Sequence, residues 1–246
     1  MAHHLRKFFL FTFLVSAFIS GHSFGQTKQL KIPKNDFWYK YNQKKIEKLY
    51  LSDLTVSNDE YHWRFWFNGQ TVSYAIDLVN DSNKLTAFIT PYTEEYTFSD
   101  EPPTNRIYTY KVPLADSTAK KILLLLKDTE INSIPNQDEI EGWGRGLDGV
   151  TYCIENATRI NYSFKSYWSP KGSDISEAKV VIGFINSIEN ITNIKDVLSN
   201  FNKHIPFESY TTDGSRTALK VLTYEQRLYY KRDRDRYRKN TIKQSN

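Results

Sequence analysis

The 246-residue chain is poor in the side chains that build metal cages and covalent frameworks. It holds one cysteine, Cys153, one methionine and, beyond residue 25, only two histidines, His62 and His204. A Cys/His zinc cage, an iron–sulfur site and an internal disulfide framework are thereby excluded, and no cofactor or metal is expected. Neither histidine belongs to a nucleophile motif such as G-x-S-x-G, and His62 falls on the polar side of an alternating run, where a surface histidine is expected. A strong excess of one charge is also missing, with 33 Lys and Arg against 28 Asp and Glu. The one extended apolar run, Phe8 to Ile19, is too short for a comfortable bilayer span.

That run does fit another purpose. Arg6 and Lys7 precede it, and Ser23-Phe24-Gly25 places small residues three before and one before a bond between Gly25 and Gln26. This is the three-part layout of a secretory signal peptide. Residues 1–25 are expected to be removed on export, leaving a bacterial periplasmic or extracellular protein with a flexible polar leader over residues 26–35.

The remaining charge is uneven. From Glu225 to Asn246 eight Lys or Arg face three Asp or Glu, whereas residues 26–224 carry 23 basic and 25 acidic side chains. The body therefore lacks the basic stripe of a nucleic-acid surface, and no nucleic-acid partner is expected. Residues 223–246 read as a basic C-terminal helix. Val221, Tyr224 and Leu228 stand at helical spacing to pack its first turns on the body, and the polar positions after Tyr230 are expected to run into solvent. Weak attraction of this tail to an anionic surface is one reading of its charge.

Between these ends, residues 36–222 read as an α+β domain, either one body or two lobes over 36–112 and 113–222. Antiparallel hairpins with flanking helices are expected. Asn35 to Leu51 suggests a helix; Tyr61 to Phe67 and Thr71 to Val79 alternate around Asn68-Gly69, a hairpin signal. Further strands are expected at Lys84 to Thr90, Tyr92 to Phe98 and Arg106 to Val112. Ala119, Ile122, Leu123 and Leu126 follow the helical template behind Asp116 or Ser117 as caps. Ala178, Val181, Ile182 and Ile185 do so behind a capping box of Asp174 and Glu177.

The segment Gly142 to Gly149 concentrates four of the ten glycines in eight residues. Its G-x-G-x-x-G spacing lacks the following helix that a dinucleotide site needs, so that reading is set aside. What remains is a tight turn, or a binding loop presenting Trp143 and Arg145. Val150 to Glu155 and Arg159 to Trp168 then read as a hairpin around Asn156-Ala157-Thr158. In that register Tyr152 faces Tyr162 and Ile154 faces Ile160, with Cys153 and Glu155 on the other face.

From Gly146 through Asp148-Gly149 and Glu155 to Tyr162 and Tyr167-Trp168-Ser169-Pro170, the chain resembles a group of exported bacterial proteins of uncharacterised activity. That resemblance covers about sixty residues. It implies an exported α+β module and carries over no catalytic residue.

Two functional classes follow. The first is a non-catalytic binding protein of the cell envelope that meets a protein or glycan through Trp143, Arg145, Asp148, Tyr167 and Trp168. The second is a hydrolase using the carboxylates of Asp148 and Glu155, since paired carboxylates are the minimum for glycoside hydrolysis. Cys153, mid-strand and without a basic neighbour, is a poor nucleophile.

Overall fold

A computed structural model describes residues 27–82, 84–98, 103–144, 146 and 149–244, with side chains through residue 240. Its frame is a sheet grown from the expected hairpin: β2 (Tyr61–Asn68) and β3 (Ser73–Asp81) pair antiparallel, with Arg64 opposite Asp77 and Phe65 opposite Ile76. β4 (Lys84–Glu95) follows as one strand where the sequence suggests two. Pro91 costs it one ladder donor, but the Pro91 carbonyl accepts from the Thr109 hydroxyl at 2.9 Å. The short β5 (Ile107–Thr109) and β6 (Val112–Pro113) pair with β4 in turn.

The second hairpin, β7 (Thr151–Ala157) and β8 (Asn161–Trp168), forms in a register different from the one expected. Tyr152 stands opposite Tyr167 and Ala157 opposite Tyr162, so the loop is Thr158-Arg159-Ile160. The Thr158 hydroxyl accepts from the Asn161 N–H at 3.1 Å and closes that turn. The pairing differs by an odd number of residues, which moves Tyr162 and Phe164 to the face of Cys153 and Glu155. Apolar matching failed as a guide because both faces are buried, and because Lys165 takes a core-facing position opposite Ile154. Its ammonium donates to the Asn132 and Ile134 carbonyls, each at 2.6 Å.

The strand order is β1-β8-β7-β2-β3-β4-β9-β10, with β1 (Gln29–Lys31), β9 (Ser209–Thr211) and β10 (Ala218–Leu219) completing the sheet. β1 lies parallel to β8, so the sheet is mixed rather than purely antiparallel. It also means that the segment expected as a flexible leader contains a paired strand. Strands from both halves of the chain interleave, since β7 pairs with β2 and β9 with β4.

Helices cover both faces. α2 (Asp116–Asp128) and α3 (Ser176–Thr192) lie on one, where Ile122, Phe184 and Ile185 meet Trp63, Phe65, Ile76 and Ile154. Both helices lack the expected side-chain caps: Ala115 and Ile175 occupy the cap positions, and Asp116 and Glu177 fall inside the first turns, where the helix dipole favours them. α1 (Phe37–Ile46) and the segment after it cover the opposite face, bringing Ile46, Leu49 and Leu54 against Trp66, Ala75, Cys153 and Phe164. His62 and Trp66, which the alternation leaves at the surface, are consequently buried.

A third cluster closes the β9–β10 end, where Phe201 of α4 (Ile194–His204) meets Phe207, Leu222 and Tyr230. The C-terminal helix α5 (Tyr224–Gln244) docks there through a face other than the expected one. Leu222 and Tyr230 are buried, while Val221, Tyr224 and Leu228 face solvent. No described helix is long and apolar enough to cross a membrane, and residues 1–25 lie outside the described part of the chain.

Candidate functional site

The groove that gathers sequence-distant polar and aromatic side chains lies where α1 begins, beside the end of β8 and the glycine-rich loop. α1 starts at Phe37 because the Asp36 carboxylate caps it, accepting from the Tyr39 N–H at 2.9 Å. The other oxygen of Asp36 accepts from the Ser166 hydroxyl at 2.8 Å, which ties the helix start to β8 across 130 residues. The 3-10 turn Gln137–Glu139 is attached in the same place: Gln137 Oε1 accepts from the Trp168 N–H at 2.5 Å, and Asn136 caps the turn at the Asp138 N–H.

The glycine-rich loop is shaped largely by one indole. A Cβ on Gly146 would stand 2.3 Å from the Trp168 ring, and one on Gly149 would stand 2.2 Å from Ser169 Oγ and 2.5 Å from Trp168 Nε1. These two positions need glycine for close approach. Among the described glycines of the loop, only Gly142 has a left-handed φ, +78°. The result is a cavity of about 330 Å³ bordered by Asp36, Phe37, Trp38, Asp138, Ser166 and Trp168, with Gly144 and Gly146 along the loop side.

The structure divides the expected site residues sharply. Trp168 is half-buried and borders the groove. Trp143, expected to be presented to a partner, is instead a core residue: it is 8% exposed, packs on Tyr167 at 5.6 Å between ring centroids and donates from Nε1 to the Trp168 carbonyl. Tyr167 is likewise buried beneath the helices, with its hydroxyl on the Ile134 carbonyl at 3.1 Å. The register of β8 turns Tyr167 into the face beneath α2 and α3, where Trp143 packs on it, and leaves its neighbour Trp168 at the rim. Arg145 and Asp148 lie outside the described residues. Sequence reasoning missed Asp36, Phe37, Trp38, Asp138 and Ser166, whose only signals were an Asn-Asp helix start and the turn-forming run after Pro135.

The richest cluster of titratable groups lies elsewhere and is sealed. On the face covered by α1, Arg64 Nε donates to Asp77 at 2.8 Å and Arg64 Nη2 to the Ser52 carbonyl, while Nη1 stands 3.7 Å from Glu155. Glu155 also accepts from Trp66 Nε1 at 2.5 Å and from the Tyr162 hydroxyl at 2.8 Å. His62 lies between Asp59 and Asp77, at 2.9 and 2.7 Å. Burial opposes the charge on Asp77, yet Arg64 and His62 hold its carboxyl below the usual range. Arg64, Asp77 and Glu155 have no exposed surface, so the cluster is closed to solvent in this structure. Burial also pushes the neighbouring Cys153 thiol well up, which suppresses its thiolate.

Among the described residues no three His, Cys, Asp or Glu side chains come together to hold a metal ion. Neither a protein-family model nor a curated protein matches this chain.

Proposed function

We propose that the protein is an exported, non-catalytic binding protein of the bacterial cell envelope, and that its ligand is a glycan segment held in the groove beside Trp168. The observation that carries this reading is the groove's lining: the Trp168, Trp38 and Phe37 side chains stand beside the exposed Asp138, while Asp36, whose two oxygens accept from the Tyr39 N–H and the Ser166 hydroxyl, holds the wall in place. Aromatic faces pack on the C–H surfaces of sugar rings, and carboxylates accept from their hydroxyl or amino groups. The cavity, about 330 Å³, is at the small end of ligand sites and suits a short stretch of a polymer. Phe37, 66% exposed at the mouth, extends the aromatic surface outward.

The hydrolase reading finds less support. Glu155 has both carboxylate oxygens occupied by buried donors and has no exposed surface. Export rests on the signal-peptide layout, and N-terminal sequencing of exported material is expected to begin at or near Gln26.

Calorimetric titration with soluble cell-wall glycan fragments tests the groove. Phe37→Ala and Asp138→Asn alter exposed side chains, so each variant is expected to keep the melting temperature while lowering affinity about tenfold or more. Unchanged affinity in both variants, or binding only to envelope proteins, would overturn the glycan reading.

A further inference from the structure

The body fixes the rotation of α5, and in doing so decides which residues the helix turns to solvent. The Tyr230 hydroxyl donates to the buried Glu95 carboxylate, which also accepts from the Thr104 hydroxyl. Arg106 reaches out to Asp233 at 2.5 Å, with its guanidinium 5.9 Å from the centroids of the Tyr230 and Tyr237 rings. Tyr230, Asp233 and Tyr237 recur at the three- and four-residue spacing of one helix face, so that face is committed to the body.

The opposite face has a two-part character. Its first turns expose Tyr224, Leu228 and Tyr229 at 76, 52 and 60%, continuous with Val221 at 94% and Leu219 at 75%. Its later turns expose Lys231, Arg232, Arg236 and Lys239, with the acidic Asp235 among them and Glu225 exposed on the same side in the first turn. Docking sharpens this charge, because Asp233, one of the three acidic residues after Tyr224, is paired with Arg106 of the body while remaining partly exposed. The rest of the chain after residue 25, with 23 basic and 25 acidic residues, is nearly neutral in sum.

We infer that this outward face docks the protein on an anionic phospholipid surface. Tyrosine and leucine side chains settle at the level of the headgroups, while lysine and arginine beside them are attracted by the negative surface potential. Charge complementarity selects this occupant. The helix lies along the surface rather than through it, since its later turns expose no apolar stripe to bury.

Flotation with phosphatidylcholine vesicles, prepared with and without phosphatidylglycerol, tests the inference. The wild type is expected to float with the anionic vesicles more than with the neutral ones, and added salt should release it. Lys231→Glu/Arg232→Glu/Arg236→Glu should lower that binding at least a hundredfold, taking about fivefold for each cation lost. Tyr224→Ser/Leu228→Ser should weaken it too while leaving its salt dependence. The protein is used as residues 26–246, and the variants differ from it only at the substituted helix positions, so differences between them read the helix alone. Circular dichroism and melting temperature should match wild type in both variants, because every substituted side chain is exposed. Equal binding to both vesicle types, unchanged binding after charge reversal, or no binding would overturn the inference. So would a dimer in sedimentation that Tyr224→Ser/Leu228→Ser dissolves in the absence of vesicle binding, which would make the face a contact between two copies.

Discussion

The two faces of the central sheet are equally buried but differently held. On the face beneath α2 and α3, Trp63, Phe65, Ile76 and Leu78 meet aliphatic and aromatic side chains from the helices. On the face beneath α1, the same strands present Arg64, Asp77 and, from β7, Glu155, joined through hydrogen bonds and ion pairs. Asp77 and Leu78 are adjacent in the chain and illustrate the difference. The apolar face is non-directional and tolerates changes of shape within limits. The ionic face has removed charges from water, so its members depend on one another, and losing one leaves the others uncompensated.

The sharpest way to break this comparison is to place the same residue on both faces. Arg64→Met should cost about 3–5 kcal/mol in denaturant unfolding, because it leaves Asp77 and Glu155 buried without their shared cation. Tyr162→Phe removes one hydrogen bond to the charged Glu155 and should cost about 1.5–3 kcal/mol. Leu78→Met, on the apolar face, should cost less than about 1.5 kcal/mol. Similar costs for Arg64→Met and Leu78→Met would mean that the ionic face is not held by its charges.

Acid titration sharpens the same contrast. Asp77 is held below its usual range in the folded state, so its contribution is fully present above the unfolded value near 3.9. It is lost as pH falls through the lower folded value. Arg64→Met should therefore flatten the acid limb of the stability curve, and Leu78→Met should leave its shape unchanged.

A smaller effect is expected at alkaline pH. Burial lowers Lys165 from 10.5 to about 8. Between those values the unfolded chain binds the additional proton, so stability attributable to this group rises with pH across that window. Lys165→Met should lessen the slope there, whatever it does to stability at neutral pH. A slope identical to that of the wild type would show that the ammonium is not desolvated.

Much of the architecture was legible in local signals. Asn68-Gly69 with alternating flanks marks the β2–β3 hairpin, and the spacing of Ala119, Ile122 and Leu126 marks α2. Boundaries moved by a few residues, but these elements stand where period and turn chemistry put them, because both depend on neighbours close in sequence. The concentration of glycines was visible too. Its reason was not: Gly146 and Gly149 make room for an indole that arrives from β8.

By itself, then, the sequence determined the element types, the first hairpin and the separation of a near-neutral body from a basic helix. Tertiary structure decided the register of β7 and β8, since two buried faces make either alternation look apolar and a lysine on carbonyl oxygens takes a core position. It decided the groove, where Asp36 meets Ser166 across 130 residues. It decided the rotation of α5, because Glu95 and Arg106 bind the polar residues Tyr230 and Asp233 and leave the apolar Tyr224 and Leu228 outside. The physical reason is common to all three. Local pattern reports the polarity of a side chain, whereas the partner that satisfies or covers it is supplied by a distant part of the chain.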